Sequence, residues 1–111
     1  MKLKQGDIIK LDFTPQAGRE QAGYRPAVVV SCALFNKATQ MPVLCPITNT
    51  QKSFPLLVPL DNRTETTGFI LCQQIKATDV EFRGYTYIET LPRDILIKVL
   101  NIVRQEFDLD N

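Results

Sequence analysis

Residues Gly18–Ser31, GREQAGYRPAVVVS, constrain the fold more tightly than any other part of this chain. The run Ala27–Val30 is apolar on both faces of an extended chain, which demands a strand buried on both sides. Pro26 fixes its own φ and pushes Arg25 out of the helical region, so Arg25 enters that strand extended. Upstream, Gly18 and Gly23 bracket a loop that holds Arg19 and Glu20, and glycines there permit backbone angles closed to other residues. A permanent cation on the lip of a buried strand, with Glu20 on the loop before it, reads as an anion site.

With 111 residues, the chain is long enough for one domain with its own core and too short for two, so a single domain over residues 1–111 is expected. Charged residues make up 23% and the net charge is +1, which argues against coating duplex DNA by charge alone and leaves room for a local basic groove. The N-terminus MKLKQGD lacks an apolar signal core and no apolar run approaches a membrane span, so no membrane partner and a cytoplasmic location are expected. Cys32, Cys45 and Cys72 are odd in number, widely spaced and set in apolar contexts. They predict three buried thiols rather than a disulfide framework or a zinc site. Histidine is absent, which removes Ser-His-Asp, Cys-His and His-rich metal chemistry. Any catalysis must use carboxylate, arginine, lysine, tyrosine or hydroxyl groups.

Strands are predicted over Asp7–Phe13, Arg25–Cys32, Met41–Ile47, Phe54–Leu60, Gly68–Ile75 and Phe82–Tyr87, each bounded by Gly, Pro or polar turn formers. Ala33–Gln40 reads as a polar connection with an Asn-Lys turn, and Thr78–Val80 as a short turn. From Pro92, the residues Ile95, Leu96, Val99, Leu100, Ile102, Val103 and Phe107 recur at helical spacing, with proline in the first helical turn. Short strands with proline interruptions and one terminal amphipathic helix predict a small, strongly curved antiparallel barrel, mainly β with some α.

Three blocks resemble the MazF/PemK toxin family: GDIIKLDFTPQAGREQAGYRPAVVVS (Gly6–Ser31), CPITNTQKSFPLLVPL (Cys45–Leu60) and GFILCQQIKATD (Gly68–Asp79). With the terminal helix, the likeness covers nearly the whole chain in the expected order. It implies an SH3-like barrel with a C-terminal helix, working as a homodimer. It also implies a type II toxin that cuts single-stranded RNA independently of the ribosome, leaving 2′,3′-cyclic phosphate and 5′-hydroxyl ends. The implied partner is a cognate antitoxin whose disordered C-terminal tail occupies the RNA site.

In that reaction the RNA 2′-hydroxyl is the nucleophile, so the protein must align the chain, stabilise phosphoryl charge and help protons move. Arg25, where the family's catalytic arginine falls, offers a planar fork for phosphate. Thr48 aligns with the second catalytic residue and could donate to a phosphoryl oxygen; on sequence alone such a threonine is more often a turn or strand-end residue bonding its own backbone. Glu20 is the available base, and otherwise a solvated loop acid. Arg19 and Lys52 suit phosphate contacts. Tyr24 is the better platform for base stacking, with Phe13 and Phe54 open to stacking or core packing. Gln74 and Lys76, with Gln73, could read base edges or build the dimer edge. Tyr85 and Tyr87 read as cross-strand packing. Asp7 and Asp12 lack clustered partners, so no metal or cofactor is expected. The alternative is a gyrase-binding toxin resembling CcdB, which carries no arginine-threonine pair at its cleft.

Overall fold

The first hairpin pairs β1 (Asp7–Asp12) with β2 (Tyr24–Val29) antiparallel, from Ile8↔Val28 out to Asp12↔Tyr24. This is a computed structural model, and it describes residues 1–14, 23–50 and 55–111. Among these, seven strands form one sheet in the order β4-β5-β3-β2-β1-β7, with β6 pairing β3 beside that path. The remaining strands are β3 (Val43–Thr48), β4 (Leu57–Pro59), β5 (Phe69–Leu71), β6 (Lys76–Ala77) and β7 (Thr86–Thr90). The architecture is mainly antiparallel sheet with a C-terminal helix, α3 (Arg93–Gln105).

Alternation along the strands sorts the core into two faces. Ile8, Val28, Cys45 and Ile47 share one buried cluster with Ile70, Leu91, Ile95 and Val99, so α3 closes this face with its apolar stripe. Ile9, Leu11, Phe13, Ala27, Val29 and Leu44 point the other way, into a second cluster with Leu3 and Val80. β2 supplies both clusters, as its two-sided apolar run requires.

The structure corrects several expectations. Ala33–Thr39, within the segment read as a connection, is a helix (α1), closed by Gln40 at φ 58 with its N–H on the Asn36 carbonyl. Its signal is hidden because its single buried residue is Asn36. That amide binds the Leu3 and Ser31 carbonyls, each at 3.2 Å, and accepts from the Ser31 hydroxyl, which in turn accepts from Val43 N–H at 2.8 Å. The joint pins α1 between β2 and β3. Cys32, at the N-cap of α1, is exposed, while Cys45 and Cys72 are buried. Burial raises both buried thiols, Cys72 to about 12, so they are inert small hydrophobes. The sixth strand starts later than expected. Residues Val80–Arg83 form a short helix (α2), N-capped by the Asp79 carboxylate on Phe82 N–H at 3.2 Å. Tyr85 therefore precedes β7, and Tyr87 within it is exposed. The fifth strand stops at Leu71. Pro92 is the N-cap of α3 rather than part of its first turn.

Ile95→Ala should lower stability by about 2–5 kcal/mol in urea unfolding, because it opens a cavity under α3. Glu106, at the C-cap of α3, has a buried Oε2 without a hydrogen-bond partner, and burial pushes its carboxyl above the ordinary value. An acid raised in the folded state loses stability as pH rises from its unfolded to its folded pKa. Glu106→Gln should therefore raise the thermal midpoint at pH 7, and the gain should vanish below about pH 4.

Candidate active site

β2 and β3 pair as Val29↔Leu44, Val28↔Cys45 and Ala27↔Pro46. Continued two residues outward, this register sets Arg25 across from Thr48, the last residue of β3. Paired residues share a face, so both belong to the face of Ala27, Val29 and Leu44. Two residues far apart in sequence thus lie on one face of the sheet, each two positions past the last β2–β3 pair. Arg25 is half-buried and Thr48 only 4% exposed. The Thr48 hydroxyl oxygen accepts the Thr50 N–H at 3.1 Å, the local turn contact expected of such a threonine. That contact uses one lone pair; the hydroxyl proton is a separate capacity.

Glycine at 68 is what lets the next strand approach this lip. Its φ is +116, and a Cβ there would stand 2.4 Å from the Thr48 carbonyl oxygen. Phe69 then pairs with Thr48 to open β5.

Tyr24 is 60% exposed, and the Lys10 ammonium lies 5.1 Å from its ring centroid. The pair places a second cation over an aromatic ring at the end of the hairpin, on the face opposite Arg25. Phe13 is buried in the core instead, so it packs rather than stacks. The exit of β1 is held from a distance: Arg83 donates to the Asp12 and Thr14 carbonyls at 3.1 and 2.8 Å. Thr14 returns its hydroxyl and N–H to the Asp12 carboxylate at 2.6 and 2.9 Å, which with the Arg83 charge holds that carboxyl below its usual range. Phe13 N–H closes the hairpin on the Gly23 carbonyl at 2.9 Å. Arg19, Glu20, Lys52 and Phe54 lie outside the described residues.

Lys76 pairs with Leu44, so it shares the face of Arg25 and Thr48, about 13 Å along β3 from the threonine at ordinary strand rise. Gln74 lies in the turn between β5 and β6, its N–H on the Leu71 carbonyl at 3.1 Å. The lip and Lys76 thus share one side of the sheet. Among the described residues no three acidic or thiol side chains gather into a metal-sized cluster.

Behind the lip, on the reverse face, an open pocket of about 300 Å³ is lined by Lys10, Pro26, Asn49, Glu65, Thr66 and Thr67. The segment 61–67 that forms its wall is tied down by polar contacts. Glu89 accepts from Glu65 N–H and from the Thr66 N–H and hydroxyl. Thr67 donates to Asn49 Oδ1 at 2.9 Å. Arg63 bridges Asp61 and Asp94, each at 2.8 Å. Lys10, Asn49, Gly68, Arg83 and Glu89 are not singled out by the sequence reading. For Lys10, strand alternation beside the Tyr24-Arg25-Pro26 lip is a usable signal; the others depend on contacts between distant segments.

The family described as PemK-like, MazF-like toxin of type II toxin-antitoxin system matches residues 4–107. The chain is 35% identical over 102 residues to Endoribonuclease PemK of Escherichia coli, covering 88% of this chain and 77% of that protein. Its fold superposes on crystalline MazF (Form-I) from Deinococcus radiodurans with a TM-score of 0.86 at 33% identity, over 94% of each chain. It also matches the MazE-MazF (Form-II) structure from the same organism, with a TM-score of 0.82 at 31% identity over 97% of each chain.

Gly68→Ala should destabilise the protein by more than about 1 kcal/mol, since alanine must hold a positive φ and its methyl meets the Thr48 carbonyl. Urea unfolding measures it. Gly84→Ala also sits at a positive φ but meets nothing within 4 Å, and should cost less.

Proposed function

The chain belongs to the PemK-like, MazF-like family of toxin endoribonucleases, and we propose that it cuts single-stranded RNA at short sequences to arrest translation. The observation that supports this reading is the β2–β3 register, whose last pair is Ala27↔Pro46, with Arg25 and Thr48 each two residues beyond it on one face. A phosphate resting there meets a planar guanidinium from β2 and a hydroxyl from β3. The family match over residues 4–107 supports a single domain, with the sheet curled into an SH3-like barrel.

Attack by the RNA 2′-oxygen on the adjacent phosphorus forms the cyclic ester and breaks the bond to the 5′-oxygen. Arg25 binds the non-bridging oxygens, holding the phosphate in line and spreading the charge that grows there. Thr48 donates its hydroxyl to the same phosphoryl group. Glu20 takes the 2′-proton, and the leaving 5′-oxygen ends protonated. The products are a 2′,3′-cyclic phosphate and a 5′-hydroxyl. Arg19, Lys52 and Lys76 hold neighbouring phosphates, while Tyr24 stacks a base and Gln74 reads a base edge. No step calls on a metal, because nucleophile and charge stabilisation both come from RNA and side chains.

The MazE-MazF relative supports a cognate antitoxin as partner, its tail lying over the RNA site. We read the working unit as a cytoplasmic homodimer. Among the described residues no helix is long and apolar enough to cross a membrane.

Incubation of the purified protein with a long single-stranded RNA plus chelator tests this reading. Discrete cuts with cyclic-phosphate and 5′-hydroxyl ends are expected, and Arg25→Ala should abolish them while keeping the thermal midpoint. A substrate with 2′-deoxyribose at the cut site should survive. Cleavage of that substrate, or an active Arg25→Ala protein, overturns the mechanism.

A further inference from the structure

The segment 61–67 reads DNRTETT and contains no apolar side chain, so hydrophobic burial cannot fasten it to the sheet. Its exposed link, the Arg63–Asp94 ion pair, belongs to a class worth about 0–1 kcal/mol. Glu89 is different. It stands on β7 opposite Ile8, half-buried, beside the register shift between Ile8 and Ile9. Its Oε1 accepts the Glu65 N–H at 3.1 Å, and its Oε2 accepts the Thr66 N–H and the Thr66 hydroxyl, both at 2.8 Å. Burial alone would raise this carboxyl; the donors from Thr66 and Glu65 outweigh burial and hold it below its usual value. Immediately onward, Thr67 donates to Asn49, and Gly68 lies against the Thr48 carbonyl. The Gly68 carbonyl accepts Leu60 N–H at 2.9 Å, closing the far end.

We propose that Glu89 is a positioning residue for RNA cleavage: its carboxylate anchors residues 65–68, and these set Thr48 and Asn49 at the lip. The proposal rests on the reading of Thr48 as a group that touches the phosphate. Glu89 itself lies on the face opposite Thr48 and acts only through the segment. Charge-assisted bonds to one fixed carboxylate make the segment a rigid wall. Without it, Thr66 loses its acceptor and Thr48 its backing.

Glu89→Gln keeps the size, removes the charge and leaves one acceptor oxygen for three donors, its NH2 facing either the Glu65 N–H or the Thr66 pair. Its cleavage rate at saturating RNA should fall about 10- to 100-fold, the scale of a small misplacement, with KM within about twofold. Thr67→Val cuts the next link, and the double variant should be no slower than the slower single variant. In a Thr48→Val background Glu89→Gln should cause no further loss, and amide exchange at Glu65 or Thr66 should accelerate in the otherwise native Glu89→Gln protein. A Glu89→Gln rate equal to wild type, a loss undiminished in the Thr48→Val background, or a loss that follows the thermal midpoint overturns the proposal. A Thr48→Val protein as fast as wild type overturns the catalytic reading of Thr48 and with it the positioning role. Unchanged exchange at both Glu65 and Thr66 in Glu89→Gln overturns the anchor by itself, whether or not the protein cleaves RNA.

Discussion

The structure depends on β2 being paired on both edges and buried on both faces. β1 and β3 take its backbone groups, while Val28 enters one core cluster and Ala27 and Val29 the other. A strand so enclosed must meet solvent at its ends, and its first residues, Tyr24, Arg25 and Pro26, are the ones left at least partly exposed. That is why the charged chemistry sits at a lip and not within the sheet. A guanidinium further along β2 would be buried without water, which is prohibitive unless it is paired.

Prolines mark where the sheet is allowed to open. Pro46 sits on β3 after the pairing with β5 has ended at Ile47↔Ile70 and before the pairing with β6 begins at Leu44↔Lys76. It has no N–H to offer a ladder, and it occupies the one stretch of that edge between two partner strands. The turn between β5 and β6 holds Gln74, and the chain returns at Lys76 on the face of Leu44. Backbone chemistry in the middle of β3 thus decides where side chains come out beside the lip.

Legibility in the sequence follows the length of the pattern. β1, β2 and α3 are readable because each repeats its apolar period several times. α1 was hidden because a buried asparagine, satisfied by Ser31 and the Leu3 carbonyl, does the work a hydrophobic residue normally announces. α2 was hidden because four residues held by the Asp79 cap carry no period at all. For the site, Arg25 was visible through its proline and the apolar run behind it. The face it shares with Thr48 was not, since a strand's register is a relation between two segments and neither encodes it alone. The family resemblance supplied the pair; the β2–β3 ladder, ending at Ala27↔Pro46, puts both on one face. Glu89 carried no signal, because its partners are backbone N–H groups, which every residue but proline possesses.

A net charge of +1 would seem poor provision for an RNA-cutting protein, but what matters is how the acids near the lip are engaged. A free carboxylate beside a phosphate repels it over roughly a Debye length, about 8 Å at physiological salt. Asp12 spends its charge on Thr14 and faces the Arg83 guanidinium, and Glu89 spends its charge on Glu65 and Thr66. Both are turned into mortar for the loops on either side of the lip, and the donors they bind offset part of their field. Lys10, Arg25 and Lys76 are the cations on β1, β2 and β6. The acids that make these loops rigid do so through bonds that also offset part of their field, so rigidity and reduced negative potential come from the same set of contacts.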